Sequence, residues 1–302
     1  MNKTKIEYVQ YTSNPIRPEI IATGKRKGWF CTKVSAGCAN CYAERMNRRC
    51  SPSGAGIGNG LAFTGANEGR VRFVLDEDVL RKIIHSRAPA GSRVFVADMT
   101  DLFHPLIPFE MIDAVWAAMA LRPDLTFMLL TKRPARMREY LTHRSRAGII
   151  QTREFDLDRP IVSDRDEIAE WYMAHPMTWP LPNVQLGVTA EDQATADERI
   201  PILLATPAAV RFVSYEPALG PVDFSTYLHC PCGGNICSHK ASLDGLIVGG
   251  ESGPGARPAQ IEWFESVRDQ CKNAQVPFFM KQLCEGGKPV LIPDRLNIRE
   301  LP

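Results

Sequence analysis

With 302 residues, 44% of them hydrophobic and 23% charged, the chain can bury one large core or two modest ones, which excludes a disordered tail or a linker. Its 36 Lys plus Arg against 34 Asp plus Glu leave a formal net charge of +2, so there is no global basic footprint and a nucleic-acid partner has to be argued locally. Apolar runs such as 114–121 and 127–130 fall far short of the roughly 20 residues of a bilayer span, and no apolar stretch follows Lys3 and Lys5, so the expectation is a cytoplasmic protein without a membrane partner.

Nine cysteines are many for a reducing compartment, where clustered cysteines bind metal or do chemistry more often than they form disulfides. The first group comes early. Cys31, Cys38 and Cys41 share one short stretch, followed directly by Tyr42 and by the start of a helix over 43–46. Three thiolates on one loop fit structural zinc short of a ligand, or an iron–sulfur cluster with one iron open. The stretch 51–69 is rich in Gly and Ser and reads as a long loop. Its Gly54, Gly56, Gly58 and Gly60 lack the leading strand and following helix that a dinucleotide fingerprint requires.

From residue 93 onward, short apolar runs alternate with stretches of helical period, the signature of βα units around a parallel sheet. Strands are predicted over 93–97, 126–130, 183–188, 210–214, 245–248 and 277–280. Helices are predicted over 109–121, 135–141, 194–204 and 261–274, the first with Met111, Val115, Ala118 and Met119 on one apolar face. This alternation favours a parallel barrel or an open doubly wound sheet in one domain, 1–302. Two segments break the rhythm and read as insertions. The first, 143–182, carries Trp171, Tyr172 and Trp179; the second, 223–243, carries a second cysteine group.

That second group, Cys230, Cys232 and Cys237 with His239, surrounds a Gly-Gly pair and suits a Cys₃His zinc site with His229 as a spare ligand. An auxiliary iron–sulfur cluster and no metal at all are the alternatives. Cys271 lies in a helical pattern and reads as a small core residue. Cys284 follows Lys281 and Gln282 and is a candidate catalytic hydrogen-atom donor.

Polar residues follow nearly every predicted strand: Asp98, Thr100 and Asp101; Lys132 and Arg133; Thr189, Glu191 and Asp192; Tyr215 and Glu216; Glu251 and Ser252; Lys281 and Gln282. In a parallel barrel such strand ends converge on one mouth, where these folds place their sites. Local basic stretches at 25–27, at Arg45, Arg48 and Arg49, and at Arg133, Arg136, Arg138, Arg144 and Arg146 offer a surface for a polyanion, and the insertion's aromatics offer stacking on bases.

The run from Cys31 to Tyr42, with the stretches 97–104, 130–134 and 248–258, resembles a phage-associated three-cysteine family of largely unassigned function. That family is in turn similar to radical S-adenosylmethionine (SAM) enzymes, especially the spore photoproduct lyase branch, where a Thr-Asp follows the second strand and a Thr-Lys the third. Six residues rather than the usual three separate the first two cysteines, and Gly249-Gly250-Glu251 follows a late strand rather than the second.

The resemblance implies a partial (β/α)6 barrel of the TIM kind with insertions. It implies that Cys31, Cys38 and Cys41 hold a [4Fe–4S] cluster whose fourth iron takes SAM, whose one-electron cleavage starts hydrogen abstraction. It makes Lys132 the partner of the SAM carboxylate, with Thr100, Asp101, Asp98, Glu216, Glu251 and Tyr42 as further cofactor-binding candidates and Tyr215 as a catalytic candidate beside Cys284. It implies a nucleobase as substrate, DNA more than RNA, and an electron donor such as flavodoxin or ferredoxin. A second reading is a metal-stapled nucleic-acid-binding or phage accessory protein that does not cleave SAM. A third is a hydrolase using Asp98, Asp101, His104 and Glu216 around a metal.

Overall fold

The predicted βα alternation is present as a single large sheet. The computed structural model describes residues 1–49, 57–158, 170–171, 173–174, 176–228 and 242–302. The strands are β1 (Asn2–Lys3), β2 (Tyr11–Ser13), β3 (Ile16–Ile20), β4 (Lys25–Arg26), β5 (Val71–Leu75), β6 (Arg93–Val96), β7 (Thr126–Thr131), β8 (Val184–Thr189), β9 (Val210–Tyr215), β10 (Gly245–Gly249), β11 (Phe278–Glu285) and β12 (Lys288–Val290). The helices are α1 (Tyr42–Arg49), α2 (Glu77–Ile84), α3 (Phe109–Ala120), α4 (Pro134–Leu141), α5 (Arg146–Asp158), α6 (Gln193–Leu204), α7 (Ser225–Leu228) and α8 (Ile261–Ala274).

The large sheet runs β1-β2-β6-β7-β8-β9-β10-β11-β12. Every neighbouring pair from β2 to β11 is parallel, and β1 and β12 close the two edges antiparallel. Strands of a parallel sheet are covered on both faces, and every residue of β8 and β10 is buried accordingly. From β6 to β11, strand follows strand in sequence order with a connection carrying helix between them, so each crossover moves one position along the sheet. A separate antiparallel sheet, β4-β3-β5, is built from the N-terminal third.

Two apolar layers hold the sheet. The larger packs the helices against it, with Trp116, Tyr140, Phe127 and Phe264 among its fully buried members. The smaller gathers Phe95, Met128, Phe212, Ile247 and Phe279, one residue from each of five strands, around Tyr8 and Val9. The Tyr8 ring touches both Phe95 on β6 and Phe279 on β11, each with centroids 6.1 Å apart.

Local chemistry explains most boundaries. Asp76 caps α2 by accepting from Val79 N at 3.2 Å, Pro134 opens α4 at its first turn, and Asp192 with Thr195 forms a reciprocal capping box on α6. β6 stops at Val96, one residue before the predicted end, because Ala97 takes a left-handed φ of 59°, which a non-glycine residue adopts only under constraint. β11 runs five residues past its predicted end and turns into β12 through Gly286 and Gly287, both at positive φ, the pairing that a tight hairpin turn requires. Lys281 and Gln282 therefore lie within a strand rather than after one.

Other expectations are corrected by burial. α3 is enclosed from Ile112 to Met119 without a polar stripe, between α2 and α5, whereas Met111 is only half-buried. Only part of the basic run at 133–146 faces solvent: Arg138 and Arg144 are exposed, whereas the others are engaged within the fold. Arg146 is buried and donates to Asp113 Oδ1 at 2.7 Å, and Arg136 donates to Ile107 O at 2.7 Å with its guanidinium over the Phe109 ring. In the first insertion, Trp171 is buried against Phe155 with centroids 5.4 Å apart, so its ring packs the insertion. Cys271 is fully buried in the core, as expected. Tyr172, Cys230, Cys232, Cys237 and His239 lie outside the described residues. Among the described residues, no helix is long and apolar enough to cross a membrane.

Candidate active site

A cavity of about 260 Å3 opens where the parallel strands end. Cys31, Cys38 and Cys41 all line it. So do Asp98, Thr100 and Asp101 beyond β6, Lys132 and Arg133 beyond β7, and Thr189 at the end of β8. Glu216 beyond β9, Glu251 beyond β10, and Lys281 and Gln282 on β11 complete the wall, with Tyr42 from the start of α1. Residues from the ends of several parallel strands thus meet at one cavity, whereas Glu191, Asp192 and Tyr215 from the same set do not line it.

Most of those charges are spent on holding the cysteine loop. Asp101 accepts four hydrogen bonds: Phe103 N at 3.0 Å and Thr131 Oγ1 at 2.7 Å on one oxygen, Lys132 N at 3.1 Å and Arg133 Nη1 at 2.9 Å on the other. Arg133, held that way, donates through Nη2 to Thr32 O at 2.9 Å and Thr32 Oγ1 at 3.0 Å, next to Cys31. His104 meets the same threonine. Its Nδ1 accepts from Leu106 N at 3.2 Å, so Nε2 carries the proton and donates to Thr32 Oγ1 at 2.9 Å. Burial, with the Arg133 charge nearby, lowers the imidazole to about 4, so it is neutral at pH 7.

The far side of the loop is latched by two more carboxylates. Glu191, fully buried, pairs with Lys132 and with Arg199 at 3.2 Å, and accepts from Ser35 Oγ at 3.1 Å. Gly37 lies directly on it: a Cβ there would sit 2.5 Å from Glu191 Oε1. Glu251 accepts from Asn40 Nδ2 at 3.0 Å and from Arg257 N and Nε at 2.9 Å each, and Arg257 Nη2 reaches back to Ala36 O at 3.0 Å. Although burial opposes ionisation, the Arg257 and Asn40 hydrogen bonds hold the Glu251 carboxyl down at about 2. Arg45 on α1 donates to Ser252 O at 3.0 Å, tying the helix after the loop to the same strand end.

In this arrangement several of the expected ligand residues already have partners within the chain. Asp101 has no acceptor position left for a cofactor, and Glu251 is likewise committed. Lys132 has its carboxylate in Glu191 and donates to Thr189 Oγ1 at 2.8 Å. Asp98 accepts from Asn14 Nδ2 at 2.7 Å and from Tyr42 Oη at 3.2 Å, so the pair fastens α1 to β6. Tyr215 is a core residue: it is fully buried on the helix side against Phe224 and Phe264, donates to Gly220 O, and does not line the cavity. Cys284 also stands outside the lining, behind Gly250, whose ideal Cβ would lie 3.5 Å from Cys284 N.

The groups that remain open are few. Thr100 Oγ1 is buried on the cavity wall with no hydrogen-bond partner, an orphan that a bound ligand would satisfy. Glu216 faces Lys281 Nζ at 2.9 Å across β9 and β11 and is braced by Ser214 Oγ at 3.2 Å. Tyr8, a neighbour of both, was invisible to periodicity because it precedes the short β2. The sequence does not mark Glu191, Arg199, Asn40 and Arg257 as loop braces, since Glu191, Asn40 and Arg257 meet the rest of the brace across more than 150 residues and Arg199 acts only through Glu191. The one available signal was Asn40 lying between two metal-ligand candidates.

Among the described residues no three His, Cys, Asp or Glu side chains converge on a single point, either around Asp98, Asp101, His104 and Glu216 or at the three cysteines. Cys31, Cys38 and Cys41 each line the one cavity, so all three thiols face the same space. Burial keeps Cys31 up near 11 and raises Cys41, so both are neutral thiols at pH 7.

Residues 3–290 match the family described as "Protein of unknown function (DUF5131)", and the chain belongs to it. No curated protein and no solved structure matches the chain.

Proposed function

We propose that the chain is a radical SAM enzyme that modifies or repairs a nucleobase in DNA or RNA, with DNA the favoured substrate. The observation that carries this reading is the presence of Cys31, Cys38 and Cys41 on one cavity wall at the ends of consecutive parallel strands. Those cysteines would hold a [4Fe–4S] cluster, which with SAM supplies one-electron sulfonium cleavage and hydrogen abstraction from an unreactive carbon. The chain's own part is placement. Glu191, Glu251, Arg133 and Arg257 fix the loop so that the cysteines keep their positions, and the buried wall excludes water. Thr100 Oγ1 donates or accepts one hydrogen bond to the ligand, and the Lys281–Glu216 pair offers one cation and one carboxylate to it.

The sheet supports a partial (β/α)6 barrel in one domain: successive parallel strands step in sequence order, and Tyr8 joins β6 to β11. The second insertion, 223–243, is read as a zinc staple through Cys230, Cys232, Cys237 and His239. A nucleic-acid substrate gains support from α1, where exposed Tyr42 and Met46 share the helix with Arg48 and Arg49. A cytoplasmic, phage-associated enzyme of this kind would draw its electron from flavodoxin or ferredoxin.

The commitment of Lys132 to Glu191 favours a second reading, a nucleic-acid-binding protein that keeps the metal loop but does not cleave SAM. One experiment separates the two. After anaerobic reconstitution with iron and sulfide, electron paramagnetic resonance of the reduced protein is expected to show a [4Fe–4S] signal that shifts on adding SAM and is lost in Cys38→Ala. A signal indifferent to SAM, or a protein that takes up only zinc, overturns the enzyme reading.

A further inference from the structure

The guanidinium of Arg133 stands against the sulfur of Cys31 in a fixed position. Arg133 Nη1 lies 3.7 Å from Cys31 Sγ while also donating to Asp101 Oδ2 at 2.9 Å. Its other nitrogen, Nη2, is tied to Thr32 O and Oγ1, so the guanidinium is held from two sides. The side chain is only 10% exposed, and solvent screens it little. The other two cysteines have milder surroundings. Cys38 Sγ has Ser35 Oγ at 4.0 Å, and Cys41 has the backbone amides of Ala43 and Glu44.

An N–H donated to a ligating thiolate, and a positive charge beside it, both stabilise the more negative oxidation state of a cluster, which raises its reduction potential. The Asp101 carboxylate works against this by neutralising part of the same charge. We propose that Arg133 is a positioning residue that sets the reduction potential at the three-cysteine site by acting through Cys31, with Asp101 as its counterweight. The inference rests on the [4Fe–4S] reading above. Only an electron enters at this step; no bond at Arg133 forms or breaks.

The test is a redox titration of the reconstituted full-length protein without SAM, followed by electron paramagnetic resonance. Arg133→Gln is expected to move the midpoint to more negative potential and Asp101→Asn to less negative potential. Arg133→Lys retains a charge for Asp101 but not the fork, and is expected to fall between wild type and Arg133→Gln. A merely structural brace would lower cluster content without producing shifts of opposite sign. Midpoints of the Arg133 variants equal to wild type at full cluster content overturn the proposal, as does a shift of Asp101→Asn in the same direction as Arg133→Gln. If Arg133→Gln does not hold its cluster, the Arg133→Lys midpoint decides. Failure of the wild type to assemble any [4Fe–4S] cluster overturns this proposal and the reading beneath it together, so the two failures are told apart.

Discussion

His104 shows how a single side chain carries the state of the loop. Both ring nitrogens are used, and Phe30 and Phe73 pack around it with ring centroids 6.2 and 5.4 Å away. With its folded pKa lowered to about 4 by burial, against an ordinary value near 6.5, the unfolded chain binds the proton that the folded chain refuses between those two values. Stability from this group is therefore complete above about pH 6.5 and declines as pH falls toward 4. Thermal midpoints measured across that window should fall with pH, and His104→Gln, which still offers Thr32 a donor, should flatten the slope; an unchanged slope would contradict the assignment. Gly37 makes a second residue-scale case. Its neighbour Glu191 is pinned by Lys132, Arg199 and Ser35 and has no room to yield. Gly37→Ala should cost about 1–3 kcal/mol through overpacking. Amide exchange at Cys38 and Ala39, whose N–H groups bond within the loop, should quicken by more than exchange in the parallel strands.

Elements differed in how plainly the sequence announced them. The parallel strands from β6 to β11 were legible as dense apolar runs, because burial on both faces leaves no polar alternation to confuse the reading. β3 was not: it contains Pro18, which gives no ladder N–H, and its Ile-Arg-Pro-Glu-Ile run is half polar because Glu19 is covered by Arg26 and Arg72. The site's strand-end residues were legible as a set, whereas their roles were not, since hydrogen-bond saturation of Asp101 or Glu251 depends on partners from other elements. The first insertion is the clearest example of a hidden role. Its helix α5 docks on α3 through a buried group in which Arg146 and Tyr140 Oη both donate to Asp113, at 2.7 and 2.9 Å. Removing one partner strands the other charge. Asp113→Ala should lose about 3–5 kcal/mol, and the double variant Asp113→Leu with Arg146→Met should recover most of it, as urea midpoints would show.

At the scale of the whole molecule, the sheet depends on what fills its inner face. β2 and β11 are separated by the full run of parallel strands, and no ladder joins them. Tyr8 supplies a link that hydrogen bonds do not, since its ring touches Phe95 near one end and Phe279 near the other, with Lys281 Nζ 5.8 Å from its centroid. Because Tyr8 also lines the cavity, the same ring sets the floor of the site. Tyr8→Ala removes a buried aromatic ring from a layer contributed by five strands, and a cost of about 3–5 kcal/mol follows from lost transfer free energy plus the cavity left behind. Tyr8→Phe keeps the ring, so it should lie within about 1.5 kcal/mol of wild type. If Tyr8 joins the two ends of the sheet, hydrogen exchange in Tyr8→Ala should quicken in β6 and β11 before it does in β8, whose neighbours on both sides are intact. Equal loss of protection across all the strands would mean that the ring only fills space.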